Sequence, residues 1–343
     1  MNESPAPAAA PPKADPTKVA LEIELSYERP PISCRYSPCG KFIFAGAEDD
    51  SIERFDVASK TAVAFKAHSS WVRGLAVSQD GQTLYSAGYD GALKWWPALA
   101  EAPTPIRSVE AHEGWIRGLD VSADGALLAT GGNDLVARLW DAASGERRGE
   151  LSGHERHIHR VRFSPDGKLL ATGDLLGTIR LWDVAARTLV HEVKAEKLHT
   201  REPGQRVDMG GTRDMAFSAD GALLAAAGTT NATNPLGAVN DAHVVVIDVA
   251  TGAIREEHAP EPAVKGVAWG ARWHADGYWI VASGGNDGGK LFFFKPGAKA
   301  PFFTFALPHW ARDLDLSSDG LHVAVAHADS KIRVYNLAGG QAA

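Results

Sequence analysis

Short apolar runs alternate with turns that carry Gly and Asp along almost the whole chain. From Ile116 to Asp141, one run ends at Asp124-Gly125, a second ends in Thr-Gly-Gly, and a third ends at Trp140-Asp141. The segments Ile158 to Asp183 and Val72 to Trp96 repeat this order. Because the runs are short and bounded by Gly and Asp, they predict β-strands and not helices.

A residue-Gly pair marks the turn between the first two runs of every repeat. Such a pair indicates a β-hairpin, since glycine accepts the positive φ that these turns need. Successive glycines lie 41, 44, 42, 54, 56 and 43 residues apart. The spacing predicts seven repeats of one supersecondary unit. The pairs are Cys39-Gly40, Asp80-Gly81, Asp124-Gly125, Asp166-Gly167, Asp220-Gly221, Asp276-Gly277 and Asp319-Gly320.

A four-stranded sheet of this length cannot bury both faces alone, whereas sheets stacked around an axis cover one another. Period, turn placement and strand endings together resemble the WD-repeat (G-beta-like) β-propeller family over about residues 18–338. Trp140-Asp141 and Trp182-Asp183 match the signature dipeptide, and Phe55-Asp56, Ile247-Asp248 and Tyr335-Asn336 are degraded versions of it. The resemblance implies an all-β, seven-bladed propeller with four-stranded antiparallel blades.

The ends of the chain predict how the ring closes and where the domain lies. The last repeat ends at its third strand, and an unassigned alternating segment, Val19 to Leu25, precedes the first repeat. As in the family, we expect this segment to pair as the outer strand of the last blade. Residues 1–17 are Pro/Ala-rich and predict a disordered tail. Residues 18–338 then form a single propeller, and 339–343 a C-terminal tail.

Composition limits the function classes. The net charge of −7 argues against a general nucleic-acid binder, which would be basic. Two cysteines are too few for a disulfide framework, and no apolar run has the form of a secretory signal or membrane span. We therefore expect a cytoplasmic chain that is monomeric on its own, has no membrane partner and needs no cofactor.

Two sets of His, Ser or Thr, Asp and Trp fall at equivalent places in neighbouring repeats. They invite comparison with a hydrolase triad. The resemblance instead implies the structural hydrogen-bond tetrad of the family, and a repeated buried polar set is architecture. The sets are His68, Ser86, Asp90 and Trp96, and His112, Thr130, Asp134 and Trp140. The next repeat has Leu176 at the Asp position, which predicts a broken tetrad there.

Two further patterns resemble sites of chemistry. Alternation places His157 and His159 on one side of the chain, so a metal pair is conceivable, although no nearby carboxylate cluster completes it. Gly284 to Lys290 fits a phosphate-loop spacing, but a strand follows it instead of the helix that such a loop needs. We interpret that segment as a turn.

A second recurrence lies just before the first strand of each repeat. In a propeller these positions resemble the rim where the central channel opens on the top face, the face on which the innermost strand of each blade begins. The predicted rim residues are Trp71, Arg73, Trp115, Arg117, His157, His159, Arg213, Lys265, Trp310 and Arg312. Trp and Arg dominate binding energy at interfaces. Alternatively, the Trp residues cover blade packing and the Arg residues pair with neighbouring acids.

The longer intervals place two insertions in the fifth repeat. One lies in residues 197–211 and the other in residues 229–241. Both open on the top face, so they are candidate recognition loops.

The sequence therefore favours a non-enzymatic scaffold that binds a peptide or protein partner, acidic or phosphorylated, on the top face and channel rim. The alternatives are a propeller enzyme or a sensor of an anionic small molecule that uses the channel mouth.

Overall fold

The computed structural model describes residues 13–66, 68–202, 204, 206–233 and 240–339. Thirty strands and two 3₁₀ helices, Pro16–Lys18 and Glu196–Leu198, make up its regular structure. The strands are β1 Ala20–Ser26, β2 Pro31–Tyr36, β3 Phe42–Ala47, β4 Ser51–Asp56, β5 Ala62–Lys66, β6 Val72–Val77, β7 Thr83–Gly88, β8 Ala92–Pro97, β9 Arg107–Glu110, β10 Ile116–Val121, β11 Leu127–Gly132, β12 Ala137–Asp141, β13 Arg147–Leu151, β14 Ile158–Phe163, β15 Leu169–Asp174, β16 Thr178–Asp183, β17 Thr188–Lys194, β18 His199–Glu202, β19 Val207–Gly210, β20 Asp214–Phe217, β21 Leu223–Thr230, β22 Asp241–Asp248, β23 Ile254–His258, β24 Val267–His274, β25 Tyr278–Gly284, β26 Gly289–Phe294, β27 Phe303–Leu307, β28 Ala311–Leu316, β29 His322–His327 and β30 Lys331–Asn336.

Seven four-stranded antiparallel sheets form the blades of a propeller, which confirms the predicted fold class. Blades one to six are β2–β5, β6–β9, β10–β13, β14–β17, β20–β23 and β24–β27, and blade seven is β28–β30 with β1. The turn glycines take φ between +69° and +85° at the seven predicted places. Only glycine adopts this region without strain, which is why the turns carry it.

The ring closes by pairing the two ends of the chain, as predicted. Strand β1 pairs antiparallel with β30, from Ala20 opposite Asn336 to Ser26 opposite Lys331. The structured part starts before β1, because the backbone N–H of Asp15 donates to the Leu337 carbonyl at 2.7 Å and Pro16 is buried. Residues 1–12 and 340–343 of the predicted tails lie outside the described residues.

Apolar side chains fill the interfaces between blades. Each of seven buried clusters joins two adjacent sheets, for example Phe44, Ile52 and Phe65 of blade one with Leu75 and Trp96 of blade two. Another cluster joins blades seven and one across the closure. Burial of apolar surface between neighbouring sheets therefore stabilises the ring, since a single blade would expose apolar side chains on both faces to water. Among the described residues, no helix is long and apolar enough to cross a membrane.

A β-bulge occurs where the innermost strand of a blade begins. In β10, for example, Ile116 lies opposite Gly132 and Gly118 lies opposite Gly131, so Arg117 has no partner of its own. The same register shift occurs in β2, β6, β14, β24 and β28. Bulges redirect side chains out of the regular alternation of a strand. Here they place one residue of each of these six blades at the top end of the channel.

Candidate functional site

The first predicted tetrad forms a buried chain of hydrogen bonds in blade two. His68 Nδ1 donates to Asp90 at 3.0 Å, and the Ser86 hydroxyl lies 2.7 Å from His68 Nε2. Trp96 Nε1 donates to the same hydroxyl oxygen at 2.8 Å. Burial raises the pKa of Asp90, but the hydrogen bond and charge of His68 and the backbone N–H groups of Ser69 and Ala92 together outweigh it and lower the pKa to about 2. Ser86 is fully buried and bonded on both sides, so it cannot meet a substrate.

The second predicted tetrad has the same geometry in blade three. His112 Nδ1 lies 2.8 Å from Asp134, His112 Nε2 lies 2.7 Å from the Thr130 hydroxyl, and Trp140 Nε1 donates to that hydroxyl at 2.9 Å. Arg138 also donates to Asp134, at 2.5 Å. These contacts hold the outer strands against the top turn of the blade, which is a structural role.

The prediction of a broken tetrad in blade four is wrong. Asp174 takes the part of the missing turn aspartate, with its carboxylate 2.8 Å from His154 Nδ1. His154 Nε2 is 2.7 Å from the Thr172 hydroxyl, to which Trp182 donates at 2.8 Å. Asp174 stands at the strand-end position that is glycine in blades two and three. From that position the Asp174 carboxylate reaches His154, to which the apolar Leu176 side chain cannot hydrogen-bond.

Blade seven has a related arrangement built from different residues. His327 Nδ1 donates to the His309 carbonyl oxygen at 3.0 Å, and the Tyr335 hydroxyl lies 3.1 Å from His327 Nε2. Burial, with a smaller effect of the nearby Arg333 charge, lowers the pKa of His327 to about 4. The imidazole is therefore neutral at physiological pH.

Six bulge residues, together with Arg213 just before β20 in blade five, form a ring at the channel mouth, and most of them belong to the predicted rim. Lys265 is not among them, because the bulge of β24 falls at Trp269. The Lys265 amine instead pairs with Asp241 at 2.6 Å, and its backbone N–H donates to Asp287 at 2.7 Å. The assignment of Lys265 to the ring is thus wrong. The mouth ring is Ile32, Arg73, Arg117, His159, Arg213, Trp269 and Arg312.

Aromatic side chains stand above this ring. Trp71, Trp115 and Trp310 are 42%, 44% and 44% exposed, which is high for tryptophan. Tyr89, which the sequence did not single out, stacks between two of them, 5.8 Å from Trp71 and 4.5 Å from Trp115 between ring centroids. Because so much of each indole faces solvent, blade packing alone does not account for the three tryptophans.

A cavity of about 260 Å³ opens at the mouth between blades six, seven, one and two. We call it the slot. Its wall is mostly aromatic and aliphatic, and Arg73, Arg312 and Glu48 also line it. The apolar wall consists of Ile32, Trp71, Tyr89, Trp269, Trp310 and Ala311.

Two of the mouth arginines lie within ion-pair distance of a carboxylate. Arg312 forms an ion pair with Glu48. Arg73 donates to the Ile32 carbonyl and lies 3.9 Å from the buried Asp313 carboxylate. For these two, the alternative that the arginines pair with neighbouring acids holds.

The other two mouth arginines have no carboxylate within ion-pair distance among the described residues. Arg117 Nε donates to the neutral Asn133 side chain at 2.8 Å. Arg213 stacks over Trp269 at 5.3 Å, and its buried Nε has no hydrogen-bond partner in the described part of the chain. Burial, followed by repulsion from Arg117 and Arg73, lowers the pKa of Arg213 to about 10. The mouth therefore carries excess positive charge.

The two predicted rim histidines add no charge and no metal site. His159 is buried, and burial together with Arg213 and Arg117 holds its pKa well below the usual range. Burial and nearby arginines also lower the pKa of His157. Within the described ranges, no three His, Cys, Asp or Glu side chains are grouped to hold a metal ion. In the described part of the chain, His157 and His159 therefore have no third ligand grouped with them.

Ion pairs close the channel below the mouth. Asp214 and Asp313 are fully buried and accept from several arginines, including Arg160 at 2.6 Å and Arg35 at 2.8 Å respectively. Arg272 donates to Asp214 at 2.7 Å. Buried carboxylates of this kind need such partners. The interior acids Asp120, Asp214, Asp313 and Asp315 are thus matched by Arg35, Arg160, Arg162 and Arg272.

The same aspartates accept hydrogen bonds from backbone N–H groups on the unpaired edge of the innermost strands. Each carboxylate accepts a backbone N–H from the next blade around the ring, which would otherwise be an unsatisfied edge donor. Two of these contacts cross the closure from blade seven to blade one. The pairs are Asp120 with Phe163 at 2.8 Å, Asp214 with Ala271 at 3.1 Å, Asp313 with Cys34 at 3.3 Å, and Asp315 with Tyr36 at 2.9 Å.

The first insertion of blade five folds into a hairpin, β18–β19, beside His157. Asp208 holds it by accepting from Arg156 at 3.3 Å, His199 at 3.1 Å and Arg201 at 3.2 Å. Residues 203 and 205 within the hairpin, and 234–239 of the second insertion, lie outside the described residues.

Comparison with known families identifies three of the repeats. The family described as WD domain, G-beta repeat matches residues 59–97, 103–141 and 145–183. Each matched segment contains the outermost strand of one blade and the first three strands of the next. A search of curated proteins finds no match.

Proposed function

We propose that this chain, which belongs to the WD-repeat β-propellers, is a non-enzymatic interaction module that binds a segment of a partner protein at the channel mouth. Proteins of this fold are generally interaction scaffolds. The proposal retains two expectations from the sequence, a cytoplasmic location and a chain that is monomeric on its own.

The observation that carries the proposal is the excess charge at the mouth. Arg117 and Arg213 converge without a carboxylate partner in the described structure, at a mouth that also carries three partly exposed tryptophans. Holding like charges together in a partly buried place is unfavourable for the free protein. Anionic groups of a partner would relieve that repulsion and hydrogen-bond to the guanidinium groups.

The polar sets that resemble catalytic groups are already engaged elsewhere. The Ser and Thr hydroxyls of the tetrads are buried and bonded on both sides. The channel carboxylates are paired with arginines. These contacts favour an interaction module over an enzyme that uses the channel mouth.

A second candidate is a sensor that binds an anionic small molecule. The enclosed slot of about 260 Å³ beside two arginines without acid partners in the described chain favours it. The exposed Trp115 lies outside the slot wall and is better explained by a larger partner surface.

The test is affinity capture with mass spectrometry from native lysate, using wild type and an R117Q/R213Q variant. Glutamate is unsuitable at Arg73 or Arg312, because it would face Asp313 or Glu48. The matched control, R147Q/R148Q, removes two exposed arginines from the outer strand of blade three. We expect the mouth variant to lose specific partners that the control retains. Identical capture by all three proteins would refute the proposal.

A further inference from the structure

The channel mouth has two chemically different halves. Blades six, seven, one and two supply the apolar wall of the slot. Blades three, four and five supply Arg117, His159 and Arg213, of which His159 is buried and held neutral. One side of the mouth therefore suits an apolar group and the other an anion.

Blade one creates the slot by departing from its neighbours. Where blades two and seven have Trp71 and Trp310 followed by an arginine at the bulge, blade one has Pro30 and then Ile32. The shorter side chains leave a gap between the two exposed indoles, and Ile32 lines it. The volume of about 260 Å³ fits a single side chain and not a folded element.

The arginines without acid partners border this slot. The Arg117 guanidinium lies 5.4 Å from the Tyr89 ring centroid, and the Arg213 guanidinium lies 5.3 Å from that of Trp269. Both rings belong to the slot wall. A chain with an apolar side chain in the slot would hold its neighbouring residues within reach of the two cations.

We infer that the mouth recognises a bipartite motif in a partner protein, made of one aliphatic or aromatic side chain beside one anionic side chain. The inference rests on the proposed function and specifies the partner's chemistry. The apolar side chain fills the slot, and a carboxylate or phosphoryl group accepts from Arg117 and Arg213. Arginine binds both anions with paired N–H donors. Neither half alone uses all the contacts that the mouth offers.

The test is an array of short peptides with a central serine, phosphoserine or glutamate, in which each flanking position is scanned with leucine, phenylalanine and glycine. We expect binding to require both an anionic centre and an apolar flank at a fixed spacing. Loss of either should weaken binding about tenfold or more, as for a charged hydrogen bond in the case of the anion and a buried apolar side chain in the case of the flank. The phosphoserine and glutamate arms distinguish the two sources of negative charge.

Variants assign each half of the motif. R117Q/R213Q should lose the preference for an anionic centre and keep the preference for leucine or phenylalanine. I32W should fill the slot and lose that apolar preference. W310A, at an exposed indole on the slot wall, should weaken the same preference and serves if I32W fails to fold.

The outcomes separate this inference from the proposed function. Anionic peptides that bind equally with glycine flanks, unaffected by I32W and W310A, would overturn the bipartite motif and leave the interaction module standing. The same holds if no peptide binds above the serine-glycine background while affinity capture still depends on Arg117 and Arg213. Failure of both the array and the capture would overturn both.

Discussion

Substitution of Arg213 by a neutral residue should stabilise the protein, because keeping the guanidinium charged in the folded protein costs free energy. Burial and the nearby Arg117 and Arg73 lower the pKa of Arg213 from its ordinary value to about 10. A fall of this size corresponds to about 3 kcal/mol. At neutral pH the guanidinium is charged in both folded and unfolded chains. The penalty therefore applies across that range and is relieved only above the folded pKa.

The substitution R213Q should recover part of this free energy. Arg213 is partly accessible to solvent, which screens the repulsion, and its stacking on Trp269 contributes about 1 kcal/mol that glutamine loses. We expect a net gain of about 1 kcal/mol in the free energy of unfolding, measured by urea titration. Added salt should stabilise the wild type more than the variant.

R312Q is the matched control, since it removes the same charge from the same ring. Arg312 is paired with Glu48, so this variant should lose stability instead of gaining it. Equal destabilisation of R213Q and R312Q would refute the argument that Arg213 is uncompensated.

Three further predictions concern the ring itself. D174A should leave His154 without its carboxylate and destabilise the protein by about 1–3 kcal/mol, whereas L176A should change little; equal urea midpoints would contradict the assigned tetrad. Deleting residues 1–26 should abolish cooperative unfolding because it removes β1, whereas deleting 1–14 should leave the closure intact; similar thermal melts of both truncations would argue against closure by β1. Burial lowers the pKa of His327 to about 4, so the neutral imidazole contributes fully to the free energy of unfolding above the ordinary histidine pKa of 6.5. That contribution should decline by about 3 kcal/mol as the pH falls from 6.5 to 4. H327N should flatten that decline in urea titrations at several pH values, and an unchanged slope would contradict it.

The fold could be predicted because the same pattern of strands and turns recurs in every repeat. A turn glycine with positive φ follows from local backbone chemistry. The Trp-Asp strand endings and the alternating segment before the first repeat gain their meaning from the family resemblance and the repeat period. Closure by β1 could be expected because the last repeat is one strand short and the family that the chain resembles closes its ring in this way.

The errors arose where a side chain acts from a neighbouring position. Asp174 reaches His154 from the end of a strand, so a search at the Leu176 position could not find it. Lys265 was placed in the ring because the bulge that selects Trp269 is not visible in the sequence. Tyr89, an aromatic residue in the turn after the second strand of blade two, was a signal in the sequence that could have placed it among the residues of the channel mouth.

The charge balance of the mouth also could not be predicted. Arg312 and Glu48 are 264 residues apart in the chain and meet only because the ring closes. Asp313 is likewise brought to Arg35 across the closure. Which arginines remain without an acid partner is therefore a property of the assembled ring.

The most direct test of the account is photo-cross-linking in the native cell with a benzophenone amino acid at position 71. The control places it at Ile106, which is 65% exposed and lies outside the slot wall. We predict a specific partner adduct from position 71 that is absent from position 106 and is lost in the R117Q/R213Q background. Adducts of equal yield from both positions, or an adduct from position 71 that survives the two arginine substitutions, would contradict the account.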